Sequence, residues 1–147
     1  MLTSKILMFC LGNICRSPLA KGVLENKILS STYLDSNGTA TYHVGNPPDS
    51  RSINVGEKNG IDISQFKARK FIKEDFKNFS HIFVMDNSNF NNVLNLAQLS
   101  KHEKKIRLIL DSEQEVPDPY YGGLEEFDSC YALLDIACDQ IVNELNL

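Results

Sequence analysis

The chain of 147 residues lacks long apolar runs, low-complexity segments and internal repeats. No stretch approaches the ~20 apolar residues that a membrane-spanning helix requires. Its five prolines and eight glycines form neither a collagen pattern nor a linker that would mark a second domain. We therefore expect one domain over residues 1–147, large enough to bury its own core.

The chain also lacks an excess of basic residues. The chain contains fifteen Lys and Arg residues and nineteen Asp and Glu residues, which gives a formal net charge of −4 at pH 7. Such a balance provides no overall attraction for nucleic acid or for an anionic membrane surface, so neither is expected as a partner. Any anion that binds must be held by the local geometry of one site.

Cysteine is scarce but not absent. The four cysteines are Cys10, Cys15, Cys130 and Cys138, an even number that would allow two disulfides in a secreted protein. A chain of this length with a normal apolar fraction does not need disulfides, however. The apolar run at residues 6–11 is also too short for a signal peptide. We expect reduced cysteines and a cytoplasmic protein.

Four short apolar runs indicate β-strands. They lie at residues 5–10, 32–36, 82–85 and 106–110, and Asn37-Gly38 closes the second. Stretches with helical spacing follow each of them. Strands that alternate with helices favour a parallel sheet with helices on both faces. The expected fold class is α/β, a three-layer α/β/α arrangement with a central four-stranded parallel sheet of the flavodoxin-like type.

The helical stretches carry recognisable end signals. The first is predicted to have Ser17 as its N-cap and Pro18 at its first helical position. A second runs from residue 49 or 50 to residue 59, and Gly60 ends it in the left-handed conformation. A third, capped by Ser88, lies between the last two strands.

A terminal helix is predicted from the apolar rhythm of residues 127–145. Cys130 and Cys138 lie eight residues apart on this helix. Both positions fall on its apolar face, so the two thiols are interpreted as core side chains.

The turn after the first strand carries the clearest chemistry, since ligands bind at the carboxyl ends of parallel strands. It runs from Cys10 to Pro18 and contains a Cys and an Arg with five residues between them. A short loop that enters a helix can turn its backbone N–H groups inward and form a nest for a tetrahedral dianion. Gly12 and Asn13 are residue types that tolerate the positive φ angles that such a loop demands.

Two side chains of this loop complete a phosphate site. Arg16 supplies a planar, charged fork that can bind two phosphate oxygens. Cys10 would lie at the bottom, where backbone amides, the helix dipole, Arg16 and the Ser17 hydroxyl favour a thiolate. The pattern predicts a nucleophile aimed at phosphorus.

A displaced alkoxide or phenoxide needs a proton, and Asp118 is the best candidate for its donor. Two prolines stiffen the segment around it, and Tyr120 and Tyr121 could line a slot for an aromatic ring. An ordinary Asp is ionised at neutral pH. We expect burial and the negative field of the thiolate to keep Asp118 protonated.

The loop from Cys10 to Pro18, together with the late segment Asp118-Pro119-Tyr120-Tyr121, resembles the low-molecular-weight protein tyrosine phosphatases. The similarity covers essentially the whole chain. Further matching segments are Asp35-Ser36, Val44-Gly45, Pro47-Pro48-Asp49, Lys67-Ala68-Arg69, Met85-Asp86 and Ser88-Asn89. A Cys-x5-Arg motif alone is moderately specific, but its combination with the late segment is highly specific.

The resemblance implies hydrolysis of phosphotyrosine and small aryl phosphates through a cysteinyl-phosphate intermediate. Cys10 matches the nucleophile, Arg16 the phosphate clamp, and Asp118 the general acid that then acts as a base. The remaining phosphate-binding loop residues are Leu11, Gly12, Asn13, Ile14, Cys15 and Ser17. Ser17 matches a hydroxyl that stabilises the thiolate, and Asn13 a side chain that holds the shape of the loop.

Cys15 matches a second loop cysteine that, in this family, traps the oxidised nucleophile as a reversible disulfide. A redox role and simple packing are equally open for it. Tyr42, Tyr120 and Tyr121 match the aromatic rim of the site, with Tyr42 where many relatives carry Trp.

The family needs no metal and no cofactor, and the histidines at 43, 81 and 102 are too scattered to assemble a metal site. The expected partners are phosphotyrosine-containing proteins. The expected oligomeric state is a monomer or a weak homodimer.

Two positions depart from the family pattern. Phe66 stands where many relatives have a His behind the loop, and Lys21 replaces an acidic residue of the first helix. Because an apolar ring cannot donate a hydrogen bond, Asn13 is predicted to depend more on Ser36, with a slightly softer loop as the result.

Three alternatives remain open. A thioredoxin-coupled arsenate reductase uses a similar loop but needs relay cysteines, and Cys130 and Cys138 lie away from where such relatives carry theirs. A phosphoarginine phosphatase places a Thr where this chain has Ile14, which offers no hydroxyl. A non-catalytic phosphate-binding module would not require Asp118.

Overall fold

The computed structural model of the protein describes residues 4–29, 31–40, 42–110 and 114–147. Its strands are β1 (Lys5–Cys10), β2 (Tyr33–Gly38), β3 (His81–Val84) and β4 (Ile106–Leu108). All three strand pairings are parallel, and the sheet order is β2-β1-β3-β4. The predicted four-stranded parallel sheet is confirmed. Asn37 and Gly38 do not close β2, however, because they pair with Phe9 and Cys10 inside the sheet.

Helices cover both faces of this sheet. They are α1 (Arg16–Lys27), α2 (Ser50–Lys58), α3 (Asp75–Asn78), α4 (Asn87–Leu94), α5 (Ser100–Glu103) and α6 (Leu124–Leu145). Ile6 and Met8 of β1 belong to the apolar cluster that contains α1, α2 and α6. Leu7 and Phe9 alternate with them and belong to the cluster on the opposite face, with α3 and α4. The predicted three-layer arrangement is therefore confirmed.

The predicted start of α1 is wrong. The helix begins at Arg16 with Cys15 at its N-cap, so Ser17 and Pro18 are its second and third residues. The Ser17 hydroxyl does not cap the helix because it contacts the Sγ atom of Cys10 and accepts from Asn13. Ser17 already lies inside the first turn of the helix, and its contact with Cys10 joins α1 to the end of β1.

The ends of α2 agree with the prediction within one residue. Asp49 caps the helix by accepting a hydrogen bond from the Arg51 backbone N–H, and Gly60 follows with a φ of 79°. The predicted cap of α4 is wrong, since Asp86 rather than Ser88 accepts from the backbone N–H of Asn89 at 2.7 Å. Asp86 lies two residues after the end of β3, which places its carboxylate at the carboxyl edge of the sheet.

The terminal helix is confirmed, and it begins at Leu124. Cys130 and Cys138 are 2% and 0% exposed within the core beneath it, as predicted. Among the described residues, no helix has both the length and the apolar character to cross a membrane.

Candidate active site

The carboxyl end of β1 and the turn into α1 form the floor of a cavity of about 280 Å³. It is lined by Cys10, Leu11, Gly12, Ile14, Cys15, Arg16, Tyr42, His43, Asp118, Tyr120 and Tyr121. All of these except His43 are among the predicted site residues. Asn13 and Ser17 belong to the same loop but do not line the cavity, and both residues are buried.

Cys10 is the last residue of β1 and is only 3% exposed. Its Sγ atom lies 2.9 Å from the Ser17 Oγ atom, and the backbone N–H of Ser17 donates to the same sulfur at 3.4 Å. Two groups that can donate hydrogen bonds thus converge on the thiol, next to the N-terminus of α1. Donors and a helix N-terminus that converge on one point form an anion-binding arrangement at this end of β1.

Asn13 fixes the shape of the loop. Its φ of 55° lies in the left-handed region, as predicted. The side-chain Nδ2 donates to Ser17 Oγ at 2.7 Å, and Oδ1 accepts from the backbone N–H of Arg69 at 2.9 Å. Gly12 does not adopt a positive φ, so that part of the prediction is wrong. A Cβ atom at this position would lie 3.1 Å from the His43 ring, so a larger residue would require that ring to shift by a few tenths of an ångström.

Ser36 does not support Asn13 with a hydrogen bond, which corrects the prediction. The backbone N–H of Ser36 instead donates to its neighbour Asp35. The outer partner of Asn13 is the backbone of Arg69, whose guanidinium is bound by Asp35 at 2.9 Å and by the buried Asp75 at 3.2 Å. These ion pairs immobilise the Arg69 backbone, and this explains how the loop is held without Ser36.

The two departures from the family pattern contact each other. The Lys21 ammonium lies 4.1 Å from the centroid of the Phe66 ring, a cation–π geometry, and 4.0 Å from an Asp35 oxygen. Phe66 also packs against the core on the α1 side. Asn13 keeps both of its partners beside this contact, and the softer loop stays a prediction.

Arg16 is only 2% exposed and is held from two sides. One terminal nitrogen donates to an Asp86 oxygen at 2.7 Å and to the Val116 carbonyl at 2.8 Å. Burial alone would lower the pKa of the guanidinium, but the negative charge of Cys10 and the hydrogen bond to Asp86 outweigh burial and raise it. The other terminal nitrogen lies 3.7 Å from an Asp118 oxygen. Arg16 thus remains charged at the cavity floor.

Sequence reasoning did not assign Asp86 to the site. The signal was present, because a residue that closely follows a parallel strand next to β1 lies at the same edge of the sheet. His43 was also missed. Its only signal was its position beside Tyr42.

Asp118 lies at the cavity mouth, and its side chain is 40% exposed. The expected burial is therefore wrong, because the segment that carries this residue runs over the surface. One carboxylate oxygen accepts from the backbone N–H of Tyr120 at 3.1 Å, and the other faces Arg16.

Aromatic rings form the rim. Tyr42 and Tyr121 are 71% and 94% exposed, and Tyr120 is 36% exposed. The rings pair edge to face, Tyr42 with His43 at 4.5 Å and Tyr120 with Tyr121 at 5.0 Å between centroids. These walls suit a flat ring that enters between them.

Cys15 is buried in the cavity wall at 5% exposure. Its burial, followed by the negative charge of Asp49, raises the pKa of the thiol well above its ordinary value. All four cysteines are free thiols. Within the described ranges, no group of three or more His, Cys, Asp or Glu side chains is arranged to hold a metal ion.

Comparisons with known proteins agree with this geometry. A family model described as low molecular weight phosphotyrosine protein phosphatase matches residues 5–147. The low molecular weight phosphotyrosine protein phosphatase of Schizosaccharomyces pombe is 41% identical over 143 residues, which cover 88% of this chain and 89% of that protein. A crystal structure of a protein tyrosine phosphatase from Entamoeba histolytica has a TM-score of 0.89 at 35% identity and covers 98% of this chain and 97% of its own.

A Drosophila arginine phosphatase is also similar in structure, with a TM-score of 0.89 at 27% identity over 97% of this chain and 98% of that one. The fold is thus shared by phosphatases described as acting on tyrosine and on arginine. The family model spans nearly the whole chain, however, and the loop from Cys10 to Ser17 is intact within it. The chain belongs to the low molecular weight phosphotyrosine protein phosphatase family.

Proposed function

We propose that this chain is a protein tyrosine phosphatase that hydrolyses phosphotyrosine and small aryl phosphates through a cysteinyl-phosphate intermediate. The observation that carries the proposal is that Cys10, Arg16 and Asp118 line the same cavity. These three residues supply a nucleophile, an anion clamp and a proton donor. Phosphotyrosine-containing proteins are the proposed substrates.

In the first step, the phosphate dianion would bind at the N-terminus of α1 against the Arg16 fork. The Cys10 thiolate attacks phosphorus, so the sulfur–phosphorus bond forms while the bond from phosphorus to the phenolic oxygen breaks. Asp118 gives its proton to the departing oxygen, and a neutral phenol leaves. The Ser17 hydroxyl, 2.9 Å from the sulfur, stabilises the thiolate before the attack.

In the second step, the Asp118 carboxylate takes a proton from a water molecule. The water oxygen attacks phosphorus, the sulfur–phosphorus bond breaks and Cys10 leaves as a thiolate. Inorganic phosphate is released, and Asp118 is again protonated. One water molecule is consumed in each cycle, and no redox partner is needed.

The cavity wall favours an aryl ester over phosphoarginine. Ile14 is 8% exposed, lines the cavity and has no hydroxyl with which to bind a guanidino nitrogen. The rim of Tyr42, Tyr120 and Tyr121 instead offers ring faces to a phenol. Phosphoarginine hydrolysis is therefore the second candidate, supported by the likeness to the Drosophila arginine phosphatase.

A thioredoxin-coupled arsenate reductase is less well supported. Cys130 and Cys138 are almost fully buried, and burial raises the pKa of each thiol to about 12. Neither is suited to relay a disulfide. Four free thiols support the cytoplasm as the compartment in which the protein acts.

The test is a metal-free assay with aryl phosphate in the presence of a chelator. We expect Cys10→Ser to abolish turnover and Asp118→Asn to lower kcat/KM by about 10² to 10⁴, the usual contribution of a general acid. Asp128→Asn is the matched control, because Asp128 lies outside the cavity and pairs with the exposed Lys58. Full activity in Cys10→Ser would refute the mechanism. Faster hydrolysis of phosphoarginine than of phosphotyrosine would favour the second candidate.

A further inference from the structure

Arg51 connects the two loops that form the cavity, although it does not line the cavity itself. We propose that Arg51, held by Asp49, is a positioning residue that keeps the Asp118 segment at its working distance from the phosphate-binding loop. The inference rests on the proposed function, because it takes Asp118 as the general acid. Arg51 acts only through the backbone that carries this acid.

On one side, Arg51 binds the backbone that follows the acid. Its two terminal nitrogens donate to the Tyr120 carbonyl at 2.9 Å and to the Gly122 carbonyl at 3.1 Å. Within the described part of the chain, these are the hydrogen bonds that residues 117–122 receive from outside the segment. The position of Asp118 therefore depends strongly on this one guanidinium.

On the other side, Arg51 is fixed to the phosphate-binding loop through Asp49. Its Nε donates to one Asp49 oxygen at 3.0 Å, and a terminal nitrogen donates to the other at 2.9 Å, which is the bidentate geometry of a strong pair. The backbone N–H of Asp49 in turn donates to the Ile14 carbonyl at 2.7 Å. A continuous path of hydrogen bonds thus joins the nucleophile loop to the acid segment.

The Arg51 guanidinium also lies over an aromatic ring. Its central carbon lies 4.5 Å from the centroid of the Phe127 ring, near the start of α6. All three guanidinium nitrogens make hydrogen bonds to Asp49 or to the acid segment. A lysine cannot reproduce this, since its single ammonium has no planar fork that binds two carbonyls and a carboxylate together.

Positioning matters because a proton donor must lie within hydrogen-bond distance of the leaving oxygen. A displacement of about 1 Å can cost about 10²-fold in rate. Without the guanidinium, the carbonyls of Tyr120 and Gly122 would have no hydrogen-bond donor among the residues that the structure describes, and the exposed segment would relax away from the cavity. We expect Asp118 then to contribute little as an acid.

The experiment is a double-mutant cycle between Arg51 and Asp118, measured as kcat/KM. We expect Arg51→Gln to lower kcat/KM for phenyl phosphate by about 10-fold or more, a fraction of the general-acid contribution. For p-nitrophenyl phosphate the loss should be smaller, because a more acidic phenol needs less protonation. In the Asp118→Asn background the same substitution should change kcat/KM by less than about twofold, since the step it supports is already absent.

Arg107→Gln is the matched control. Arg107 also makes a bidentate pair, with Glu144 at 2.6 and 2.8 Å, and lies over the Phe83 ring, but at the far end of α6. We expect Arg107→Gln to leave unchanged the difference in kcat/KM between phenyl phosphate and p-nitrophenyl phosphate. Arg51→Lys keeps the positive charge and serves as the test variant if Arg51→Gln does not fold.

The double-mutant cycle can overturn the inference in three ways. Equal losses from Arg51→Gln in the native and Asp118→Asn backgrounds would overturn the inference, because Arg51 would then act independently of the acid. An unchanged kcat/KM in Arg51→Gln would overturn it as well. If Asp118→Asn itself has no effect on the rate, the acid assignment in the proposed function fails first, and this inference fails with it.

Discussion

The four cysteines of this chain differ in their surroundings although they are the same residue type. Cys10 has two potential donors within 3.4 Å of its sulfur, and it faces the cavity. Burial raises the pKa of Cys130 and of Cys138 to about 12. Reactivity with electrophiles should follow this division, because the thiolate is the reacting species.

We predict that iodoacetate at pH 7 alkylates Cys10 well before Cys130 or Cys138. A thiol with a pKa near 12 is ionised in only about one molecule in 10⁵ at this pH. Peptide mapping by mass spectrometry measures the labelling, and inorganic phosphate should protect Cys10. Labelling of Cys138 at the rate of Cys10 in the folded protein would contradict the assignment. The unfolded chain, in which all four thiols should react, is the control.

For individual residues, the sequence predicted which side chains form the site, but it predicted their hydrogen-bond partners only in part. The left-handed backbone of Asn13 follows from its residue type and its loop. Its hydrogen-bond partner Arg69 lies 56 positions further along the chain. Arg69 is in turn held by ion pairs with Asp35 and Asp75. Such a distant arrangement leaves no local pattern in the sequence, and Ser36 was chosen in its place.

Among the secondary-structure elements, α2 reaches the site through its cap and its first turn. Its cap Asp49 accepts from the backbone N–H of Arg51 at 2.9 Å. The hydrogen bonds from Arg51, the main cause, lower the pKa of Asp49 below its ordinary value. The carboxylate therefore contributes to stability as well as to geometry.

We predict that Asp49→Asn lowers the free energy of unfolding at pH 7, and that the difference from the native chain shrinks in acid. A group with a lowered pKa in the folded state stabilises the fold above its unfolded pKa, near ~3.9 for Asp. This contribution is lost as the pH falls through the folded value. Asn retains the capping ability, so the pair with Arg51 is what is removed.

Urea unfolding at pH 7 and pH 3 measures this difference. Asp128→Asn is the control, because its exposed pair with Lys58 should be worth less than about 1 kcal/mol at either pH. A difference between Asp49→Asn and the native chain that is as large at pH 3 as at pH 7 would contradict the prediction.

The errors in the predicted elements have physical causes. The N-cap role of Ser17 was lost to its contact with Cys10, and Ser88 was displaced by the carboxylate of Asp86. The helices α3 and α5 span four residues each and were not predicted. One turn of helix is too short to show a 3.6-residue period.

For the whole molecule, the fold was predictable because alternating strands and helices leave few arrangements of a parallel sheet. The exposure of Asp118 was not, since the burial of a surface segment depends on how the whole chain packs around it. The position of Arg51 between two loops was unpredictable for the same reason. The residues proposed to carry the chemistry were visible in the sequence, whereas those that connect them were not.

We predict that inorganic phosphate stabilises the whole molecule despite its net charge of −4. A ligand that binds only the folded chain adds about 2.7 kcal/mol at 100 times its Kd. The melting temperature should therefore rise with phosphate but not with sodium chloride of equal ionic strength. Cys10→Ser should retain this effect, because the clamp and the helix N-terminus remain. An equal response to both salts would argue against a specific anion site.

The contact between Lys21 and Phe66 makes each residue depend on the other. At 4.1 Å the ammonium and the ring form one cation–π pair. An acidic residue at position 21 would place negative charge against the electron-rich face of the ring, and an aliphatic residue at position 66 would leave the ammonium without that face. We therefore expect the two positions to be coupled, so that replacing either residue removes the contribution of both.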